Sequence, residues 1–268
     1  MLRCDVADVL APFIERHRKT AYRPVVSEGQ GAPDGSRFNG APFLMNGEAW
    51  PECSFCAKPM AMFLQLNLST LPAGAGAFGS GLLQLFYCVE DHDYTQTEDW
   101  AAFDHKVKLA RVIPDGTPGA IAMPKDVGLK ANPLAIVGWT PFEETPNTEE
   151  AADYGLQTIY DRTTPREVRT KFVSEPLGID TGWLDSNELN QVFEKLLAPA
   201  FKDKLSGWPG WVQGVEYPSC TACGARMQLV FQIDSEDHVP WMFGDMGCGH
   251  ITQCPEHKSV VTFAWACH

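Results

Sequence analysis

Gly40-Ala-Pro-Phe-Leu-Met-Asn-Gly-Glu-Ala-Trp-Pro-Glu-Cys53-Ser-Phe-Cys56-Ala-Lys-Pro-Met60 returns later in the chain as Gly207-Trp-Pro-Gly-Trp-Val-Gln-Gly-Val-Glu-Tyr-Pro-Ser-Cys220-Thr-Ala-Cys223-Gly-Ala-Arg-Met227. Phe38 to Asn67 aligns with Leu205 to Asp234 without a gap, at a constant offset of 207 − 40 = 167. The pairs Gly40/Gly207, Pro42/Pro209, Gly47/Gly214, Pro51/Pro218, Cys53/Cys220, Cys56/Cys223, Met60/Met227 and Gln65/Gln232 are identical. Trp50/Tyr217, Leu66/Ile233 and Asn67/Asp234 are conservative exchanges. Unrelated segments of this length share roughly two identities at average residue usage. This agreement, with both rare cysteines in it, indicates an internal duplication. Two short copies far apart predict one body with pseudo-twofold symmetry rather than a solenoid. The expected class is α+β, with mostly antiparallel sheets and few helices.

Working outward, residues 1–36 read as an N-terminal helix and linker, 37–110 as the first copy, 111–203 as a connecting segment and 204–268 as the second copy. Asp5 to Arg18 has a helical stripe of Val6, Val9, Leu10, Phe13 and Ile14, with Asp5 as the expected cap. Residues 22–37 are rich in Gly, Ser and Pro and read as linker. Met62 to Leu68, Leu82 to Tyr87, Val107 to Ile113, Met227 to Ile233 and Ser259 to Trp265 read as strands. The acidic stretch Pro141 to Gly155 reads as an exposed loop. Asn187 to Lys202 reads as a second helix capped by Ser186.

Each copy extends beyond the shared block in the same way. Cys56 is followed by Cys88-Val-Glu-Asp-His92, and Cys223 by Cys254-Pro-Glu-His257. Each half therefore offers Cys-x-x-Cys, a long excursion, then a cysteine and a nearby histidine. This Cys3His set of soft thiolates and one imidazole suits tetrahedral zinc. The expected ligands are Cys53, Cys56, Cys88 and His92 in the first half, and Cys220, Cys223, Cys254 and His257 in the second. In the second half Cys248 or His250 could replace Cys254 or His257. One or two structural Zn2+ ions are expected. Gly224 stands where a knuckle turn needs positive φ, while Ala57 stands at the matching place in the first half, which makes the second site the stronger. Copies this small also profit from a structural metal.

The chain has 268 residues, nine cysteines and a net charge of −13. An odd cysteine count and a start without a signal-peptide core predict reduced thiols in the cytoplasm. No apolar run is long enough for a membrane span. The negative charge disfavours nucleic acid and suits a basic protein partner. Catalytic motifs are missing: there is no His-Glu-x-x-His and no nucleophile elbow. Gly74-Ala-Gly-Ala-Phe-Gly79 precedes a strand rather than a helix and reads as a hairpin loop. Gln65 and Gln232, each within an apolar strand, are expected to bond backbone.

Cys53-x-x-Cys56-x-x-Pro59-Met60-x-x-Phe63-Leu64, the Leu71-Pro72 break and Gly81-Leu-Leu-Gln-Leu-Phe-Tyr87 resemble the YwqG-like family of bacterial domains. Leu205-Ser-Gly-Trp208, Phe231-Gln-Ile-Asp-Ser235, Gly244-Asp-Met-Gly247 and Gln253-Cys-Pro-Glu-His257 extend that resemblance through the second half. The Cys-x-x-Cys region is also similar to programmed-cell-death-2 proteins, chaperones of a ribosomal protein. The resemblance implies a duplicated α+β fold without established enzyme activity, and an association with immunity proteins of bacterial polymorphic toxin systems. The function expected is a non-enzymatic, zinc-stabilised protein-binding module that neutralises a cognate toxin. The alternatives are a chaperone or adaptor for a basic client, and a metalloenzyme.

Overall fold

The computed structural model describes residues 4–164 and 167–268. Helix α1 (Cys4–His17) is followed by β1 (Lys19–Glu28), β2 (Arg37–Phe38), β3 (Phe43–Met45), β4 (Ala61–Asn67) and β5 (Leu82–Tyr87). A single turn, α2 (Tyr94–Thr97), precedes β6 (Lys108–Ile113), β7 (Gly119–Ile121) and β8 (Leu134–Glu144). Then come α3 (Thr148–Asp153), β9 (Gln157–Thr164), β10 (Glu167–Ser174), β11 (Ile179–Asp180) and α4 (Ser186–Gln191). The chain closes with β12 (Lys204–Ser206), β13 (Gln228–Asp234), β14 (Cys248–Gln253) and β15 (Val261–Ala266). The architecture is antiparallel sheet with few helices, consistent with the α+β class.

Ten strands form one sheet in the order β15-β14-β13-β12-β1-β8-β2-β4-β5-β6, and every ladder between them is antiparallel. The first and last strands of that order, β15 and β6, lie against each other, so the sheet curls round. β4 buries all its residues but the last and β5 buries every one, as continuous apolar runs covered on both faces do. The main core joins Phe38, Phe63, Leu85 and Tyr87 to Phe231, Phe243, Ile251 and Phe263. A second core lies between α1 (Val6, Leu10, Phe13), α3 and the small sheet β11-β10-β9 (Phe172, Ile179). The α1 stripe is thus buried as expected. The side chain of Asp5, expected to cap it, lies outside the described residues.

Three expectations need correction. Residues 22–28, read as linker, are the second part of β1, which pairs with β8 from Lys19↔Glu144 to Glu28↔Leu134. Pro24 hid the strand. It is tolerated because β12 pairs only with Ala21 and Tyr22, so Pro24 faces no ladder on that side. The acidic segment after Pro141 is not a solvated loop. It ends β8 and forms α3, and it buries Glu144 and Glu150. The second helix is shorter than expected. Asp185, not Ser186, is its cap, in a reciprocal capping box with Glu188. It passes into a π turn at Val192–Leu196 and does not reach Lys202, because Pro199 disfavours helical backbone just before it.

Matching residues of the two halves make matching bonds. The Gln65 amide donates to the Pro33 and Gly35 carbonyls at 3.2 and 2.9 Å, and its oxygen accepts from the Phe43 amide at 3.1 Å. Gln232 donates to Ala200 and Lys202 at 3.2 and 2.9 Å and accepts from Gly210 at 2.7 Å. Both glutamines therefore tie loops to strands, as their apolar settings implied. The hairpin loops also cross between halves: the Asn39 amide donates to the His238 carbonyl at 3.0 Å, and the Ser206 hydroxyl to Ala75.

Candidate metal centres

Both Cys-x-x-Cys segments fold as tight turns before a strand. The Cys53 amide donates to the Lys58 carbonyl, and the Ala57 amide to the Cys53 carbonyl, both at 2.8 Å. The Cys220 amide to Ala225, and the Gly224 amide to Cys220, repeat these bonds at 2.8 Å. The turn forces positive φ on its fifth residue: +59° at Ala57 and +75° at Gly224. Glycine takes this conformation freely and alanine does not. The second cysteine–histidine pair arrives at the far end of the hairpin. Cys88 directly follows β5, held by its amide on the Val107 carbonyl at 2.8 Å. Cys254 directly follows β14, held on Val260 at 3.0 Å.

The eight residues gather as two groups of four, Cys53, Cys56, Cys88 with His92, and Cys220, Cys223, Cys254 with His257. Within each group the ligand atoms all lie within 4.8 Å of one another. Zinc bond lengths of about 2.3 Å to sulfur and about 2.0 Å to nitrogen give tetrahedral edges of about 3.8 Å between sulfurs and about 3.6 Å between sulfur and nitrogen. The sulfurs of Cys56 and Cys88 are 3.7 Å apart, and those of Cys223 and Cys254 are 3.6 Å apart. His92 Nε2 stands 3.7 Å from Cys53 Sγ and 3.1 Å from Cys88 Sγ, and His257 Nδ1 stands 3.8 Å from Cys254 Sγ. The residues fit a tetrahedral divalent ion, and the sulfurs are too far apart for disulfides.

The two groups differ in the hydrogen bonds around sulfur. Cys254 Sγ accepts from the His257 and Glu256 amides at 3.2 and 3.4 Å, and Cys220 Sγ from Ala222 at 3.4 Å. Burial pushes the Cys254 thiol up, but these amides, the His257 ring and the Cys220 sulfur together bring it down to about 6. In the first half, Cys53 Sγ lies 3.4 Å from the Lys106 carbonyl. Burial there pushes Cys88 up to about 12.

Cys248 and His250, the alternative ligands, belong to neither group. They lie within β14, where Cys248 Sγ faces the Ile233 carbonyl at 3.6 Å and the His250 ring packs on Trp211 with centroids 4.7 Å apart. Burial lowers His250 to about 3, so it is neutral. A third group, Asp203, Asp237 and His238, also brings ligand atoms together. Its members serve the fold: Asp203 accepts from the Asp234 amide at 2.7 Å and meets His238 Nδ1 at 2.9 Å, and Asp237 accepts from the Asp203 amide at 2.8 Å. No sequence signal marked this group, since its residues lack metal-ligand spacing.

A family profile described as a domain of unknown function (DUF1963) matches residues 36–257, and the chain belongs to that family. The match agrees with the YwqG-like resemblance. No curated protein matches the chain. No helix among the described residues is long and apolar enough to cross a membrane.

Proposed function

We propose that this DUF1963 member is a cytoplasmic, non-enzymatic protein-binding module, stabilised by zinc in both halves, that neutralises a cognate toxin by direct binding. The observation that carries the reading is the pair of Cys3His groups. Four protein ligands complete a tetrahedron and leave no position open for water or substrate, which is the pattern of a structural site. Zinc would hold each turn to its hairpin by Cys53, Cys56, Cys88 and His92, and by Cys220, Cys223, Cys254 and His257. It supplies cross-linking there, and the chain's own strands supply the binding surface.

The duplication belongs to the same proposal. β2-β4-β5-β6 flank β8 as β12-β13-β14-β15 flank β1, which suits a pseudo-twofold axis between the two central strands. The glutamine bonds and turn bonds recurring at one offset support descent from a single ancestral unit. The partner is inferred to be a basic protein, from the net charge of −13.

Metal analysis of the purified protein tests the first part, with two equivalents of zinc expected. Co-purification with the product of an adjacent toxin gene tests the second. Capture of one ribosomal protein instead would favour the chaperone reading. A metal site with an exchangeable water next to a carboxylate would favour an enzyme.

A further inference from the structure

The two halves carry matching hollows. Asn39, Gly40, Trp50, Ala61 and Met62 line a cleft of about 260 Å³ in the first half. Their counterparts at the same offset, Ser206, Gly207, Tyr217, Gln228 and Leu229, line one of about 350 Å³ in the second. The scaffold therefore makes the hollow, and each half furnishes it differently. The first is finished with Val127, Leu129, Pro133 and a single lysine, Lys125, which is paired with Glu52 at 3.5 Å, and Pro59 stands at the place of Arg226. The second is finished with Lys19, Arg226, Tyr154 and Phe78. Arg226 is not needed to form the hollow, since the first half forms one with Pro59 in its place.

The second cleft is built like a binding site. The Arg226 guanidinium carbon sits 4.0 Å from the centre of the Tyr217 ring, and Lys19 Nζ sits 3.3 Å over the Trp208 ring. Tyr154 meets Trp208 edge-on at 5.3 Å, which continues the aromatic wall. The buried Glu150 accepts from the Tyr217 hydroxyl at 2.6 Å and the Trp211 indole at 3.0 Å, and from Arg226 at 3.4 Å. Tyr217 and Arg226 are thereby fixed before anything binds. Arg226 also meets the half-exposed Asp153 at 3.1 Å. Lys19 has no carboxylate in ion-pair range among the described residues. It ends the run Arg16-His-Arg-Lys19, a concentration of positive charge in a chain of net charge −13. Glu150 and Glu144 attract Lys19 from beyond ion-pair range, so an incoming anion competes with them for this cation, and rings beside it suit a flat body.

We propose that this cleft binds a small organic anion, a carboxylate or phosphate carried on a planar ring. Lys19 and Arg226 hold the charge, and the Tyr154, Tyr217 and Phe78 rings hold the plane. The site borders the turn that carries Cys220 and Cys223 but uses none of the metal-group residues, and it does not depend on the protein-binding reading.

The test is an amide and indole NMR titration of the full, metal-loaded chain with phenyl phosphate, benzoate, inorganic phosphate and benzylamine. Phenyl phosphate or benzoate should shift Gly76, Gly207 and the Trp208 indole, with a submillimolar Kd at low salt. Lys19→Glu should weaken that by about tenfold or more. Lys19 stacks on Trp208 and stands opposite Glu144 in the β1–β8 ladder, so the neutral Lys19→Gln is run beside Lys19→Glu and should weaken binding in the same direction; unchanged signals elsewhere will show that each variant keeps its fold. Tyr154→Ala should weaken phenyl phosphate more than inorganic phosphate. The proposal is overturned if neither ring-bearing anion shifts these signals, if Lys19→Glu binds equally well, or if benzylamine binds as tightly. Equal affinity for inorganic phosphate would remove the ring from the proposal.

Discussion

Lys204→Met should be among the most damaging single changes available in this protein. The Lys204 side chain is fully buried and that of Glu144 is 2% exposed. Nζ reaches both carboxylate oxygens at 2.9 and 2.8 Å and the Trp208 carbonyl at 2.5 Å. Glu144 also accepts from the Ala200 and Trp208 amides at 2.8 and 2.5 Å. Methionine fills the space but leaves a carboxylate buried with two amide donors and no counter-charge. Breaking one side of such a pair costs about 3–5 kcal/mol. At about 2 °C per kcal/mol for a chain of this size, Tm should fall by roughly 6–10 °C. Adding Glu144→Gln removes the stranded charge and keeps an acceptor for one of the two amides, which bond different carboxylate oxygens; the other N–H then faces the new NH2 group. The double variant should therefore recover the part of the loss due to the uncompensated charge, but not the part due to the amide left without an acceptor. Equilibrium urea unfolding of the four proteins of the cycle, each metal-loaded, gives the coupling energy. A single-variant cost below about 1 kcal/mol, or a double variant as unstable as the sum of the singles, would refute the reasoning.

Three further outcomes follow from the geometry. Gly224→Ala meets open space but needs φ of +75°, so it should cost about 1 kcal/mol, while Ala57→Gly at +59° should gain a similar amount; thermal unfolding reads both. Cys220→Ser or Cys254→Ser should remove one equivalent of zinc by elemental analysis and lower Tm more than Cys248→Ser, which lies outside both groups. His250, held neutral with its pKa near 3 against 6.5 unfolded, makes the unfolded chain bind the extra proton between those values, so its contribution is complete above pH 6.5 and lost as pH falls toward 3. That loss is about 3–5 kcal/mol. His250→Phe should flatten the pH dependence of urea unfolding across that window, and an unchanged slope would contradict this account.

Rare residues and unbroken apolar runs were legible without coordinates. The cysteine–histidine pairs stood out because thiols seldom recur at matched spacings by chance, and all eight of those residues are brought together. Strands such as Leu82–Tyr87 announced themselves by continuous hydrophobicity. Elements whose burial depends on a distant partner were illegible. Glu144 looks like surface until Lys204 is placed against it. β14 reads as a polar stretch, Cys-Gly-His-Ile-Thr-Gln, yet all six residues are buried. Gln253 is carried there by its bonds to the Phe78 and Lys258 carbonyls at 3.1 and 2.7 Å, one of them far away in sequence. β1 was hidden by a proline whose harmlessness depends on how short its neighbour is.

The place of β1 at the centre of the large sheet has a consequence during synthesis. It leaves the ribosome early, yet one of its two neighbours, β12, begins only at Lys204. Until then the buried Ala21–Tyr22 part of that strand edge is unpaired in a nascent chain, and an unpaired edge is the kind of template that recruits other chains. Products that stop before that point should therefore precipitate rather than persist as half-proteins, and proteolytic clearance of stalled translation would matter more for this fold than for one assembled in chain order.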